Sequence, residues 1–282
     1  MTAAWSPSAD RVVPAQRRRQ IVRYIAANGH ATIADLAERF MVSQDTIRRD
    51  LDDLSRQGSV LRTYGGVVKA EQDANVHHLT FQARAQVNLA AKQAIGVAAC
   101  RLVRDGSTLL VNGGTTVLEF ARALYRLQGL TVVTNNLMLP QVLPTTSVQE
   151  VHVLAGQYDP TSLVTIGPVQ LPSPYGAEPH RLYADYAVIG VGGVATGAGF
   201  SGTDIRESSM IQAMMEQAAT VIVLADSSKF ARQALVTIAD LGAADYVVTD
   251  ARPDSAIATA LAEASVSVVL AGGQTEPQEG PE

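Results

Sequence analysis

A pair of adjacent arginines, Arg48 and Arg49, is the first feature of the sequence with evident chemistry. The apolar residues around them recur with helical spacing, so that Ile47, Leu51 and Leu54 face one way and both arginines face the other. Guanidinium groups suit guanine edges and phosphates, and hydroxyl groups at the start of a helix suit phosphates. The segment therefore predicts a helix that reads DNA.

The elements around this helix predict a winged helix-turn-helix. A helical pattern at 15–28 and a second one that Thr32 can cap precede the arginine helix, which Ser43 can cap. Two β-type runs, 60–63 and 67–69, then flank a Tyr-Gly-Gly turn, which is a hairpin signal. In such a motif the second helix enters the major groove and the hairpin contacts the backbone or the minor groove. The predicted DNA contacts are Ser43, Gln44, Asp45, Thr46, Arg48, Arg49, Arg62 and Tyr64.

Loops in the second part of the chain combine glycine with amide, hydroxyl or charged side chains. Each follows a β-type run, and ligands of open α/β sheets bind beyond the carboxyl ends of the strands. The loop at 112–116 opens a predicted helix, so that glycines, helix-end amides and two threonine hydroxyls converge where a phosphate could bind. The effector contacts predicted from these loops are Asn112, Gly113, Gly114, Thr115, Thr116, Thr134, Asn135, Gly156, Gly192, Asp226 and Lys229.

An alternation of strand and helix patterns positions these loops and predicts a mainly parallel sheet covered on both faces. The predicted strands cover 109–111, 130–133, 151–154, 186–189, 221–224, 246–248 and 266–270. The predicted helices cover 88–103, 115–127, 208–217 and 255–263. The predicted fold class is therefore α/β, with a winged helix-turn-helix joined to a larger doubly wound domain.

The glycines at 190–193 raise the question of a dinucleotide site, whose fingerprint opens directly into a helix. Here residues 195–202 follow, a glycine-rich stretch that we interpret as a loop, so we expect no nicotinamide or flavin cofactor. The sequence shows no Cys and His cluster that would suggest a metal site. The single cysteine, Cys100, excludes an internal disulfide.

Charge divides the chain in the same way as the patterns do. Residues 1–70 carry 11 Lys and Arg against 7 Asp and Glu, whereas residues 71–282 carry 11 against 20. A basic head on an acidic body fits phosphate binding at one end only. The absence of a signal-peptide pattern and of a membrane-length apolar stretch predicts a cytoplasmic protein with no membrane partner. The predicted organisation is a disordered tail at 1–13, the winged helix-turn-helix at 14–70, a linker at 71–80, a sensing domain at 81–270 and a disordered tail at 271–282.

These features resemble the DeoR family of bacterial regulators. In the first part the resemblance rests on Thr-Ile-Arg-Arg-Asp-Leu at 46–51 and on the Gly-Gly hairpin, with Tyr64 where the family commonly has His. In the second part it rests mainly on Phe81, Arg84, Lys92, Gly114-Thr115-Thr116, Val133-Thr134-Asn135, Glu207 and Asp226-Ser227-Ser228-Lys229-Phe230. Asn112, Gly113 and Ala231 depart from the family's common residues, which leaves the identity of the ligand open.

The resemblance implies a sensor domain similar in fold to ribose-5-phosphate isomerase, and it adds Glu207 to the expected effector contacts. It implies a sequence-specific repressor that binds double-stranded operator DNA of a carbohydrate-catabolism operon and is released by a phosphorylated sugar. Because such regulators pair half-sites, we expect a homodimer or a higher even homo-oligomer.

One alternative stays open, a sugar-phosphate isomerase or deaminase with an added DNA-binding domain. In that case Glu207, Asp226 and Lys229 would supply the acid and base groups that proton transfer at a sugar carbon needs. Fold analogy does not establish chemistry, so we expect binding without turnover and no enzymatic activity.

Overall fold

The computed structural model describes residues 14–28, 30–56, 60–63, 66–69, 81–171 and 180–272. The chain divides into two units, residues 1–79 and 80–282. The predicted tail at 1–13, the predicted linker at 71–80 and most of the predicted tail at 271–282 lie outside the described residues.

The N-terminal unit combines three helices with a three-stranded antiparallel sheet. Its elements are α1 (Pro14–Asn28), β1 (His30–Thr32), α2 (Ile33–Arg39), α3 (Gln44–Arg56), β2 (Val60–Thr63) and β3 (Gly66–Lys69). The helices and the β2–β3 hairpin confirm the prediction. Strand β1, which pairs with β3, is absent from the prediction because a three-residue strand is too short to show a period of two.

Both predicted helix caps are present. Thr32 Oγ1 accepts the backbone N–H of Asp35 at 3.1 Å, and the Asp35 carboxylate accepts the N–H of Thr32 in return. Ser43 Oγ accepts the N–H of Thr46 at 3.2 Å. The caps fix where α2 and α3 begin. The start of α3 in turn determines which of its sides carries the buried Ile47.

The C-terminal unit contains a large sheet and several smaller ones. Its helices are α4 (Phe81–Gln86), α5 (Leu89–Cys100), α6 (Thr115–Ala123), α7 (Ile205–Glu216) and α8 (Ser255–Glu263). Its strands are β4 (Thr108–Val111), β5 (Leu130–Thr134), β6 (Val148–Val153), β7 (Gln157–Asp159), β8 (Val164–Ile166), β9 (Gln170–Leu171), β10 (His180–Arg181), β11 (Ala184–Gly190), β12 (Gly193–Ala195), β13 (Gly199–Gly202), β14 (Ala218–Leu224), β15 (Val236–Ala239), β16 (Tyr246–Thr249) and β17 (Ser267–Leu270). Single 3₁₀ turns cover Leu124–Arg126, Leu139–Gln141, Ser227–Lys229 and Leu241–Ala243.

The large sheet is parallel throughout and has the strand order β17-β16-β14-β11-β4-β5-β6. All seven predicted strands lie in it. From β4 the chain builds β5 and β6 on one side, and it later builds β11, β14, β16 and β17 on the other side. The strand order therefore reverses between β4 and β11, where the connections diverge and leave a crevice at the carboxyl ends of the strands.

Helices cover both faces of this sheet, which confirms the doubly wound prediction. Leu109 and Val111 pack among the residues of α5 and α6, while Leu110 between them packs on the opposite face with α7 and α8. The small antiparallel sheet β12-β13-β15 lies on that second face. In the described part of the chain, no helix is long and apolar enough to cross a membrane.

Short elements outside the large sheet differ from the prediction. Residues 195–202, interpreted as a loop, belong largely to the hairpin of β12 and β13, in which Gly193 pairs with Ser201. Strands β7 and β8 form a second hairpin, and β9 pairs with β10. Like the six-residue helix α4, which is also absent from the prediction, these strands are too short to show a hydrophobic period.

Ala231 provides a test of local backbone strain. Its φ is +54°, in the left-handed region where a Cβ costs about 1–2 kcal/mol. We predict that Ala231→Gly raises the free energy of unfolding by about 0.5–1 kcal/mol, because relief of strain exceeds the entropy that glycine adds to the unfolded chain. The matched control Ala94→Gly, at an exposed position inside α5, should lower it by about 1 kcal/mol. Denaturant unfolding of the full chain measures both, and a loss of stability in both variants would contradict the prediction.

Candidate functional site

The solvent-facing side of α3 presents most of the predicted DNA contacts. Thr46 is half-buried, and the other predicted contacts at this helix are exposed: Ser43, Gln44, Asp45, Arg48 and Arg49. Arg62 lies on β2, but its side chain is outside the described residues, as is the whole of Tyr64.

The two arginines of α3 are available to a ligand in different degrees. Arg48 Nη1 donates to Asp45 Oδ1 at 2.8 Å, and both side chains are half or more exposed. An exposed pair of this kind contributes at most about 1 kcal/mol, so a phosphate can replace Asp45 at little cost. Arg49 forms no hydrogen bond or ion pair with any described residue. The helix therefore offers one weakly paired and one unpaired guanidinium.

Ion pairs between α1 and α3 fix the direction in which this surface points. Arg17 Nε donates to Asp50 Oδ2 in the interior of the unit, where both residues are buried. Next to them, Arg18 Nη1 donates to Asp53 Oδ2 at 2.7 Å. Asp50 is absent from the predicted contacts, although a carboxylate next to the outward-facing Arg49 and on the buried side of the helix is the signal that could have indicated its role. Breaking a buried pair is costly, so the pair holds α3 firmly against α1.

In the C-terminal unit, the predicted effector loops meet where the sheet reverses its order. Asn112 follows β4 and is fully buried, and its side chain bonds to the backbone of Gly190 at the end of β11. Asn112 Nδ2 donates to the Gly190 carbonyl at 2.9 Å, and Asn112 Oδ1 accepts the Gly190 N–H at 2.8 Å. Asn112 thus joins the two strands that border the crevice, and both its amide nitrogen and its amide oxygen take part in this contact.

The loop at 112–116 leads into the N-terminus of α6. Gly114 precedes the helix with φ at +147°, a backbone conformation that favours glycine, and no side chain caps the first amides. Thr115 is half-buried and Thr116 is buried. Uncapped amides at a helix start, with the positive end of the helix dipole behind them, form an anion-binding arrangement.

The loop after β5 adds amide groups to the same edge of the sheet. Thr134 Oγ1 donates to the Val111 carbonyl at 2.6 Å, which ties the end of β5 to the end of β4. Asn135 Nδ2 donates to the Thr165 carbonyl at 3.0 Å, whereas Asn135 Oδ1 is buried with no hydrogen-bond partner in the described part of the chain. A buried acceptor without a partner is unfavourable unless a ligand or water supplies a donor. Thr134 therefore supports the loop, and Asn135 offers an acceptor.

Glu207 of α7 reaches the loop at 112–116 from the other side of the crevice. A Cβ placed on Gly113 would lie 2.9 Å from Glu207 Oε1, so the carboxyl group is packed directly against this loop. Burial raises the pKa of Glu207 to about 7; Arg84 opposes the rise, and Asp204 and Asp159 add to it. The carboxyl group is consequently close to half-ionised at neutral pH.

Two lysines, Lys92 and Lys229, lie near the same crevice. Burial lowers the pKa of Lys229, which Asp226 opposes, and burial lowers the pKa of Lys92 to about 8. Asp226 is itself buried and accepts hydrogen bonds from Asn88 Nδ2 at 3.1 Å and from the backbone and side chain of Ser228. Lys229 is therefore a half-buried cation near a carboxylate whose Oδ1 already accepts hydrogen bonds from Asn88 and Ser228.

The structure does not bring every predicted residue into this group. Gly156 lies at the base of the β7–β8 hairpin, where a Cβ would collide with the backbone of Ile166. Gly192 lies between β11 and β12 and donates its N–H to the Ser201 carbonyl at 2.8 Å. Conversely, Arg84 and Lys92 belong to the group although sequence analysis names them only for the family resemblance. On a short or amphipathic helix, a basic residue gives no sign of being buried until the fold is known.

Comparison with known proteins agrees with this two-part architecture. Residues 17–73 match the family described as the DeoR-like helix-turn-helix domain, and residues 87–251, more than half of the chain, match the DeoR C terminal sensor domain. The chain belongs to the DeoR family.

Relatives of this DeoR-family protein are named as transcriptional repressors. The HTH-type transcriptional repressor CsqR of Escherichia coli (strain K12) is 30% identical over 254 residues, 90% of this chain and 94% of that protein. The Glycerol-3-phosphate regulon repressor of the same strain is 28% identical over 255 residues, 90% and 98% of the two chains. The Putative aga operon transcriptional repressor of Escherichia coli O157:H7 is 27% identical over 261 residues, 91% and 94%. The DeoR-family protein is thus a DNA-binding transcription regulator.

Solved structures share less sequence identity with the chain than these relatives do. Ribose 5-phosphate isomerase from Plasmodium falciparum has a TM-score of 0.34 at 11% identity, covering 49% of this chain and 52% of that chain. The tetrameric eIF2B-beta2-delta2 complex from C. thermophilum has a TM-score of 0.43 at 15% identity, covering 88% and 82%. The fold of the sensor unit is therefore established by its strand order and not by these similarities.

The two groups that titrate near neutrality predict how anion binding depends on pH. As pH rises from 6 to 9, Glu207 gains a negative charge around pH 7 and Lys92 loses its positive charge around pH 8. Both changes oppose an anion in the crevice, so sulfate, whose charge is constant in this range, should bind more weakly at pH 9. If bound sulfate raises the pKa of one of these groups by one, the sulfate affinity falls about tenfold as that group loses its proton.

Calorimetric titration of sulfate from pH 6 to pH 9 measures this dependence. Glu207→Gln should remove the part of the loss that falls near pH 7 and leave the part near pH 8. A constant sulfate affinity over the whole range would contradict the arrangement of charges described above.

Proposed function

We propose that this DeoR-family protein represses a carbohydrate-catabolism operon by binding double-stranded operator DNA, and that a phosphorylated sugar releases it. The DNA-binding domain would comprise residues 14–70 and the effector-sensing domain residues 81–270. The observation that carries the proposal is a group of three cations near the uncapped N-terminus of α6: Lys92, which is buried, and Arg84 and Lys229, which are half-buried.

The chemistry of the crevice supports a ligand with two different ends. The cations and the helix amides suit a phosphate dianion. Asn135 Oδ1 and the Glu207 carboxyl group are acceptors that suit hydroxyl groups. By their names, two of the relatives control the glycerol-3-phosphate regulon and the aga operon, which supports a carbohydrate phosphate as the class of effector.

The N-terminal unit supports the DNA part of the proposal. Arg49, and Arg48 once Asp45 is displaced, can contact bases or phosphates from α3, and the hydroxyls of Ser43 and Thr46 lie at its N-terminus. A single winged helix buries little DNA surface, so we propose a homodimer or a higher even homo-oligomer on paired half-sites. A regulator of chromosomal operons would act in the cytoplasm.

Binding without turnover is the function that we propose for the sensor crevice. Asp226 Oδ1 accepts hydrogen bonds from Asn88 and Ser228, which gives Asp226 a capping role at the turn Ser227–Lys229 and supports a structural part for this carboxylate. One observation favours an isomerase instead, the pKa of Glu207 at about 7, which suits proton transfer. Incubation with a panel of sugar phosphates, followed by NMR for isomerised or deaminated products, decides between the two; catalytic product formation would replace this part of the proposal.

The DNA contact is tested by Arg49→Ala. Operator sequences are first selected from a random duplex pool with the full-length protein. We expect the variant to bind the selected DNA with about 1–3 kcal/mol less free energy if Arg49 contacts a base, or with a salt slope reduced by about one if it contacts a phosphate. Arg104→Ala, an exposed arginine of the sensor unit, is the control and should match wild type. Wild-type affinity and salt dependence in Arg49→Ala would refute contact by α3.

Effector release is tested on the selected operator with a panel of sugar phosphates and their unphosphorylated counterparts. We expect at least one phosphorylated compound to release the protein and its unphosphorylated form to have no effect. Lys229→Met should raise the concentration needed for release by about tenfold or more, because it removes one charge-assisted contact. Release by unphosphorylated sugars alone, or by none of the panel, would contradict the proposed effector class.

A further inference from the structure

Helix α4 occupies a special position in the chain. It is the first described element after residues 70–80, which connect the DNA-binding unit to the sensor unit. Its first residue, Phe81, is buried and donates its N–H to the Thr161 carbonyl at 3.2 Å. The helix also packs against α6, whose N-terminus forms the anion-binding arrangement. α4 is therefore covalently continuous with the connecting segment and in contact with the effector site.

Arg84 extends from α4 into the effector crevice without a strong partner. Its Nε is buried and has no hydrogen-bond partner among the described residues, and its Nη2 donates only to Ser162 Oγ at a long distance of 3.4 Å. Glu207 and Asp159 attract the guanidinium group, yet neither forms an ion pair with it. Burying an unpaired charge is costly, and a bound anion would remove this cost.

The neighbouring lysine ties α4 to the same site. Lys92 Nζ donates to the backbone carbonyl of Arg84 at 2.6 Å, so the end of α4 is held by a second cation of the crevice. Arg84 lies near enough to Lys92 and Lys229 to lower the pKa of both. In the absence of an anion these three cations repel one another. An anion between them would draw them together, and with them the backbone of α4.

We propose that Arg84 binds the anionic group of the effector and transmits this binding through α4 to the segment that joins the two units. The proposal rests on the proposed function for the identity of the anion as a phosphate ester. Since a ligand shifts an equilibrium only by binding one state better than the other, Arg84 must contact the anion more closely in the state that releases DNA. Arg84 is thus a ligand of the anion and a positioning residue for α4.

The proposal is tested on the full-length protein with inorganic phosphate as the probe. Calorimetry gives the phosphate affinity, and hydrogen–deuterium exchange at zero and saturating phosphate gives the response of peptides that cover residues 70–86. For wild type we expect binding and slower exchange in α4. Arg84→Gln should bind phosphate at least about tenfold more weakly and show no slowing of exchange even at saturation.

Two variants separate loss of affinity from loss of transmission. Lys229→Met should also bind about tenfold more weakly, yet at saturation it should recover the wild-type exchange response, because α4 and Arg84 are intact. Arg104→Gln, on the exposed loop before β4, should match wild type in both measurements. If Arg84→Gln is poorly folded, Arg84→Lys keeps the charge but loses the bidentate geometry, and it should bind more weakly and fail in the exchange response.

The outcomes are distinct. Wild-type phosphate affinity in Arg84→Gln and Arg84→Lys, a wild-type exchange response at saturation in either variant, or no phosphate binding to wild type would overturn the proposal. If phosphate slows exchange in α4 through Arg84 but no sugar phosphate releases the operator, the proposed effector class fails while the coupling stands.

Discussion

The pair of hydrogen bonds between Asn112 and Gly190 is the contact on which the sensor site depends. It joins β4 and β11, the two strands between which the sheet reverses its order, and it is fully buried at the side-chain end. The primary amide donates to a carbonyl and accepts an N–H from the same residue. A carboxylate at position 112 would accept the N–H but leave the carbonyl of Gly190 without its donor. An amide at position 112 therefore satisfies both backbone groups of Gly190 at the junction from which both loops of the crevice start.

This junction determines which charges meet. Because the connections from β4 and β11 diverge, α6 starts on one side of the crevice and α7 brings Glu207 from the other, while the turn after β14 supplies Lys229. Each of these groups loses hydration in the fold, and burial shifts the pKa of Glu207 upwards and those of Lys92 and Lys229 downwards. A stable protein tolerates such a cluster where a ligand compensates for it. The cluster is consistent with a sensor whose stability and shape respond to an anion.

The sequence allowed the large sheet to be predicted but not the short elements around it. The five inner strands of the sheet are largely buried and rich in apolar residues, whereas the edge strands β6 and β17 are mostly exposed or half-buried. Loops rich in glycine or polar residues mark the strand ends, so the hydrophobic pattern and the turn signals predict the same boundaries. Strand β1, helix α4 and the hairpins have too few residues to show a period, and only their pairing or packing partners make them regular. For the site, the loops around Asn112 and Lys229 were predicted, because strand ends in an α/β fold lie on one edge. Arg84 and Lys92 were not, because nothing in a sequence distinguishes a buried basic residue on a helix from a solvated one.

Gly113 explains how one departure from the family pattern shapes the crevice. A side chain at this position would collide with Val164 of β8 and approach Glu207 Oε1 to 2.9 Å. With Ser or Ala there, either the β7–β8 hairpin or the Glu207 carboxyl group would have to move away from the loop. Glycine lets both pack directly on the backbone that precedes α6, which brings a carboxyl group with a pKa of about 7 close to the loop at 112–116. Under the proposed function, selection among ligands that share an anionic group would depend on the part of the ligand that faces Glu207.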